Sequence, residues 1–233
     1  MSRSARDAVA FHVAFAVVAV AVLFVPPGAG PEAVAASGGV PLGWRLLALV
    51  VLYNVALPLV GRARGHAEWA SLWLAMALIS VWQVVPDAFL VEVLGTLRFP
   101  DTGGPRLGGV PLAMAGMWTI PLWIAVFASR QVAGADVLRG ALLAAAFAGV
   151  ILVSSEATLW ALPIWEAVGV RSLGPVALYV IVPEVVLGAT AYLAYVLTRE
   201  RPLILRMLAG SAVALIYLGG LAASYLVVDG RPV

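Results

Sequence analysis

Glu184 stands in the middle of an apolar stretch, Leu173 to Leu197, long enough to cross a bilayer. A carboxylate at that depth costs roughly 2.5–3.5 kcal/mol on insertion scales, and intramembrane acids therefore face a cavity or a partner. Asp87, Glu92, Glu156 and Glu166 fall at the ends of other apolar stretches. Gathered at one end of a bundle, such acids suit the handling of protons, cations or cationic intermediates. Gln83 and Asp87 are four residues apart and share a helical face if the helix continues through Pro86. Trp118, Trp160, Trp165 and Tyr179 add aromatic faces. Trp118 falls too deep for an interfacial belt and reads as packing or pocket wall, whereas Trp160 and Trp165 suit a belt.

The rest of the composition narrows the chemistry. Without cysteine there is no disulfide, iron–sulfur cluster or thiolate metal site. All basic residues are arginine, so the lysine amine of a retinal Schiff base is missing. Two histidines, His12 and His66, are too few for the clusters of a membrane di-iron enzyme, and both His12 and Asn54 read as interhelical hydrogen-bonders. No paired aspartate-rich motif, Walker motif or nucleophile elbow occurs. The net charge of +2 does not suggest nucleic acid, and no metal or other cofactor is expected. Carboxylates, arginines and aromatic rings remain. They suit one reaction class, in which a neutral carboxyl protonates an isolated alkene, aromatic faces stabilise the resulting cation, and a second carboxylate takes a proton from water or from the cation.

These residues must be positioned by membrane helices. With 63% hydrophobic and 11% charged residues the chain lies far from the roughly 25% charge of soluble domains. Its mean hydropathy is +1.04. Seven stretches approach the roughly 20 apolar residues a spanning helix needs: Ala8–Val25, Trp44–Val60, Glu68–Pro86, Val110–Ser129, Val137–Ser155, Leu173–Leu197 and Leu203–Val228. The first is too long, and lacks the small-residue cleavage site, for a signal peptide. The expected fold is therefore all-α, a polytopic seven-transmembrane-helix bundle forming a single domain over residues 1–233, in the cell membrane. Arg3, Arg6, Arg62, Arg64, Arg130, Arg139, Arg199, Arg201 and Arg206 outnumber Arg45, Arg98, Arg106, Arg171 and Arg231, which predicts N-terminus inside and C-terminus outside. On that topology Glu184 lies about 16 Å along its helix, near the midplane, where Pro183 would loosen the backbone. The other acids line the outer half.

Two stretches echo one another. Glu92-Val-Leu-Gly95 is followed by Arg98, Leu107-Gly108 and Pro111-Leu112. Glu166-Ala-Val-Gly169 is followed by Arg171, Leu173-Gly174 and Ala177-Leu178. Each follows an outward helix and leads into an inward one, the pattern of a duplicated helix pair. Chance similarity in so Ala-, Gly-, Val- and Leu-rich a chain is the competing explanation.

Across Asp87–Trp118, the residues Glu92, Gly95, Phe99-Pro100, Gly104-Pro105, Leu107-x-Gly109-Val110-Pro111-Leu112 and Trp118 resemble the membrane-bound carotenoid hydratase family of carotenoid biosynthesis proteins. That resemblance implies a multi-helix membrane enzyme adding water to a terminal double bond of a long polyene, with Glu92 and Trp118 at its site. It covers about thirty residues. The pair Pro183-Glu184 is also similar to the Pro-x-Glu-Glu of small membrane lycopene cyclases, with one glutamate here. Together these predict a hydratase or cyclase acting on a lipophilic isoprenoid substrate drawn from membrane lipid. Glu184 or Asp87 would be the proton donor and Glu92 or Glu156 the acceptor. Trp118, Tyr179, Gln83, Trp160 and Glu166 would contact substrate. A proton-coupled transporter and a non-catalytic assembly subunit are the competing expectations.

Overall fold

The computed structural model describes residues 1–24 and 39–230. Val25, the Pro26–Gly43 loop up to residue 38, and Arg231 lie outside the described residues. Among the described residues seven helices form the bundle: α1 Arg3–Phe24, α2 Leu42–Ala63, α3 Ala67–Leu94, α4 Thr119–Ala133, α5 Val137–Ala157, α6 Ile181–Thr198 and α7 Leu203–Val228. Six of them, all but α4, are long and apolar enough to cross a membrane, as in a multi-pass membrane protein. With 15 residues α4 reaches about 22 Å at 1.5 Å per residue, short of the roughly 30 Å hydrocarbon core. The expected fourth span is thus corrected. Val110–Pro111 is a strand rather than a helix start, and only a single turn, Met114–Met117, precedes α4.

Short residues set the closest approach in the bundle. A Cβ on Gly188 of α6 would lie 2.4 Å from the Ala144 carbonyl oxygen and 2.4 Å from the Ala148 Cβ of α5. One on Gly140 would overlap the Tyr192 ring. Small residues at this spacing let membrane helices pack backbone to backbone, where dispersion rather than water exclusion drives association. The core above and around this seam is aromatic. Trp123 stacks on Phe127 with centroids 4.6 Å apart and meets Trp69 edge-on at 5.3 Å.

Polar side chains tie the periphery. Asp7 of α1 accepts two hydrogen bonds from Arg64, at 3.1 and 3.0 Å, and contacts His66 Nε2 at 2.8 Å, so α1 is held at the turn between α2 and α3. That turn needs Gly65, whose φ of +78° disfavours any side chain. His12 Nε2 meets the Tyr53 hydroxyl at 2.9 Å, and Asn54 donates to the Gly116 carbonyl at 3.1 Å while accepting from Trp73 Nε1. Both are interhelical bonds of the expected kind.

At the end of the bundle where α3 and α5 finish, six two-residue strands make a roof. β1 Leu97–Arg98 pairs antiparallel with β4 Glu166–Ala167. β2 Arg106–Leu107 and β3 Val110–Pro111 form one hairpin; β5 Ser172–Leu173 and β6 Val176–Ala177 form another. The hairpins turn through Gly108 and Gly174, both at positive φ. The Leu107-Gly108 and Leu173-Gly174 echo is therefore a structural one. Its other half is not: Glu92 sits in a π-helical turn and Glu166 in a strand, so those acids do not correspond.

Candidate functional site

The chain passes Pro86 without leaving the helix. A proline here removes one backbone donor and crowds the carbonyl four residues earlier. The turn tightens to accommodate it, with the Gln83 N–H shared between the carbonyls of Ile79 and Ser80 at 3.0 and 3.2 Å. Helical bonding resumes at once, from Asp87 N–H to the Gln83 carbonyl at 3.1 Å. The helix then widens into the π-helical turn Phe89–Leu94, closed by Gly95 in the left-handed region. Asp87 therefore lies well inside α3 instead of at the end of a span, and its side chain is buried.

Glu184 comes to the same place by a different route. The expected helix start at Leu173 is a β-hairpin; a 3-10 turn, Leu178–Val180, precedes α6, which begins at Ile181. Glu184 is thus about 9 Å from the start of this helical stretch, instead of 16 Å along it. Pro183 occupies the first turn of α6, where an N–H would have no partner in the α-helix, so it does not loosen the helix interior. Glu184 is 3% exposed, and its Oε2 makes no hydrogen bond.

Asp87, Glu156 and Glu184 line one cavity of about 280 Å³. Asp87 Oδ2 accepts from the Trp118 indole N–H at 3.2 Å, and Glu156 Oε2 accepts from the Ala177 N–H at 3.2 Å. The Tyr179 hydroxyl bonds to that of Thr96 at 2.9 Å. Tyr217 of α7 closes the wall, its ring edge-on to Trp118 with centroids 5.7 Å apart. Most of the remaining lining is apolar, including Leu90, Phe99, Met114, Ile124 and Val180. Strands β1 and β4 cover the top, contributing Leu97 and Ala167. The result is a largely hydrophobic chamber with three carboxyls from three helices in its wall, the usual make-up of a small-molecule site.

Of the expected site residues the structure brings Asp87, Glu156, Glu184, Trp118 and Tyr179 together. Trp118 does so from the junction just before α4, not from deep within a long helix. Three others stay outside the cavity. Glu92 is exposed, and its Oε1 accepts the Gly109 N–H at 3.1 Å, pinning the β2–β3 hairpin. Glu166 pairs with Arg98 across β1 and β4. Trp160 is 81% exposed. Glu92 lies on the π-helical turn that ends α3, Glu166 in β4 and Trp160 in the turn after α5, and none of the three lines the cavity. Gln83 lies in a different place again, fully buried on α3 one turn before Asp87, with neither side-chain end hydrogen-bonded.

Sequence reasoning missed Tyr217, Thr96 and Thr119. Tyr217 gave no signal, since its helix carries no other polar residue at that depth. Ser80, Gln83 and Asp87, by contrast, are spaced three and four apart on α3, a polar stripe legible in the sequence.

Residues 84–228, more than half of the chain, match the family described as Domain of unknown function (DUF6989), and the chain belongs to that family. Every cavity-lining residue falls inside the matched segment. No curated protein matches the chain, and no solved structure does.

Proposed function

We propose that this protein is a membrane-embedded isoprenoid-modifying enzyme, a hydratase or cyclase, that protonates an alkene from a buried carboxyl and quenches the cation within the cavity. The observation that carries this reading is the convergence of Asp87, Glu156 and Glu184 on one apolar chamber. Burial in such surroundings favours the neutral form of one acid, the form a general acid needs. Trp118, Tyr179 and Tyr217 supply ring faces for the cation. At about 30 Å³ per water-sized group the cavity takes roughly nine such groups, the end of an isoprenoid chain rather than a whole polyene. Of the residues that carry the resemblance to carotenoid hydratases, Phe99 and Trp118 line the cavity and support the same reading, while Glu92 lies outside it. The arginine distribution supports an orientation with the N-terminus inside, which puts the site in the outer leaflet of a cell membrane, a bacterial inner membrane.

Transport is less well supported. Beyond the acids the bundle core holds the apolar side chains Leu72, Met76, Leu122 and Leu187, all fully buried, and the buried polar residues Ser80, Gln83, Thr119 and Ser129 do not line the cavity.

The test is expression in a host that accumulates lycopene-type polyenes, with chromatography and mass spectrometry of the pigments. A product heavier by one water, or an isomer with a cyclised end, is expected. Glu184→Gln keeps the shape of the side chain and removes the proton donor. Its product yield should fall by roughly 10²–10⁴-fold, the usual contribution of general acid catalysis, with the protein still present in the membrane. Unchanged pigment with the native chain across several isoprenoid hosts would overturn the reading.

A further inference from the structure

The side chains that line the chamber are not equally covered, and the inequality has a direction. Asp87, Leu90, Tyr179, Glu184 and Tyr217, contributed by α3, α7 and the start of α6, are each 5% exposed or less. Ile120, Pro121 and Ile124 of α4 and Ile151 and Ser155 of α5 line it too, yet all five are partly exposed. A lining residue that is also reached from outside marks where a cavity meets the surface. Helix length explains why this happens at α4 and α5. The short link 134–136 starts the two helices at one level, and they pack together as a hairpin. Counted from that link, Thr119 at the start of α4 is level with Ile151, so the last six residues of α5, about 9 Å, run on without α4 beside them. The single turn Met114–Met117 does not fill the gap, because it packs on α2 and α3, where Asn54 holds the Gly116 carbonyl.

We propose that this gap is a sideways entrance from the bilayer, that Ile120, Ile124 and Ile151 determine what passes it, and that it admits an apolar chain end. The inference rests on the reading above and names how its substrate reaches the acids. Ile151 lies six residues inside the end of α5, itself a membrane-spanning helix, so the gap faces hydrocarbon and not the headgroups. Its rim is carbon at Ile120, Pro121, Ile124 and Ile151. The Ser155 hydroxyl already donates to the Leu152 carbonyl at 2.7 Å. An ionised or strongly hydrated end group would shed its water there with nothing to replace it, whereas an alkyl or alkenyl end loses nothing on leaving the lipid tails. Size sets the second constraint. A cavity of about 280 Å³ holds only a chain end, so the rest of a long molecule stays in the gap and among the lipids. Recognition therefore falls on the terminus, and the length behind it is free.

The experiment photolabels the full chain in phosphatidylcholine vesicles and locates adducts by mass spectrometry of its fragments. Three probes are compared: octadecane with a terminal diazirine, octadecane with a mid-chain diazirine, and octadecanoic acid with the diazirine beside its carboxylate. The terminal probe should mark Asp87, Glu184 and Tyr217, and the mid-chain probe Ile120 and Ile151. The acid should mark the chamber at least about tenfold less than the terminal probe, a modest share of the cost of desolvating a carboxylate. Ile120→Trp with Ile151→Trp fills the gap. Its chamber labelling should fall by about tenfold, the order that overpacking a filled site produces, while labelling of lipid-facing Leu142 stays at the native level. Val150→Trp, on the neighbouring residue that is 66% exposed and does not line the cavity, should label as the native chain does. Should the double variant fail to accumulate, Ile151→Ala decides, since it only widens the gap and raises chamber labelling. Native chamber labelling in the double variant, or in Ile151→Ala, overturns the entrance, as does a native chain that takes no probe into the chamber. Equal labelling by the acid overturns the selection for an apolar end. A native chain that takes the probe through the gap yet converts no polyene keeps the entrance and overturns the enzyme.

Discussion

The seam between α5 and α6 carries Glu156 at one end of one helix and Glu184 near the start of the other, so its geometry sets the spacing of the acids. Gly188→Ala probes it directly. The new methyl carbon would lie 2.4 Å from the Ala144 carbonyl oxygen, against a normal contact of about 3.5 Å between non-bonded atoms. Either the helices part by about 1 Å or the backbone of α5 shifts, since a carbonyl oxygen cannot rotate aside. Forced overpacking of this kind costs typically about 1–3 kcal/mol. The control is Gly219→Ala on α7, where nothing lies within 4 Å of the added carbon. There the change gains up to about 1 kcal/mol of helix propensity. Thermal unfolding in detergent, followed by loss of soluble monodisperse protein, should rank Gly219→Ala at or above the native chain. Gly188→Ala should melt roughly 2–12 °C lower, taking about 2–4 °C per kcal/mol for a chain of this size. Product formation should fall with it, because the acids move apart. Equal melting temperatures for the two alanine variants would refute the claim that a backbone-tight seam positions the site.

Two other substitutions separate the cavity from its surroundings. Trp118→Phe keeps an aromatic face but removes the N–H that reaches Asp87. Loss of that hydrogen bond, about 0.5–1.5 kcal/mol, predicts a drop in turnover of roughly two- to tenfold, checked by initial rates in membranes. Glu92→Gln retains the oxygen that accepts the Gly109 N–H and changes no group in the cavity, so pigment conversion should be unchanged; abolished conversion would move the site to the roof.

Much of this was legible in the sequence because the bilayer restricts the menu to helices and makes every buried acid conspicuous. The helices, their order and the presence of acids at the cavity follow from that, and three of the four carboxyls expected at the site, Asp87, Glu156 and Glu184, line it. What failed was local. Leu173 and Val110 are as apolar as the helices they precede, so hydropathy alone ran them into α6 and α4. The Gly-Pro and Gly-Gly turns at 174–175 and 108–109 instead fold these residues into hairpins. That error displaced Glu184 and Trp118 along their helices without removing them from the site. Glu92 was misplaced because it sits on the π-helical turn that ends α3, where its carboxylate is exposed and accepts from the Gly109 N–H of the β2–β3 hairpin instead of facing the cavity. Tyr217 was beyond reach, since only the assembled bundle brings α7 to the wall of the chamber.

The two halves of the site are alike in plan and unlike in chemistry. α3 and α5 each place an acid, Asp87 or Glu156, at the same number of residues before strands β1 and β4. Each half continues through a hairpin turning at a positive-φ glycine, Gly108 or Gly174, and each then places a cavity residue at equal distance beyond it: Trp118 in the first half, Glu184 in the second. The antiparallel pairing of β1 with β4 joins the halves face to face, so the chamber forms on the seam between them. In the first half an indole N–H donates to the acid. In the second half a carboxyl stands where the indole stood, with an oxygen no group in the protein bonds. One side of the chamber thus holds a hydrogen-bonded carboxyl and the other a carboxyl with an oxygen unpartnered among the described residues; under the proposed chemistry that asymmetry, rather than the number of acids, makes Glu184 the donor and Asp87 the acceptor.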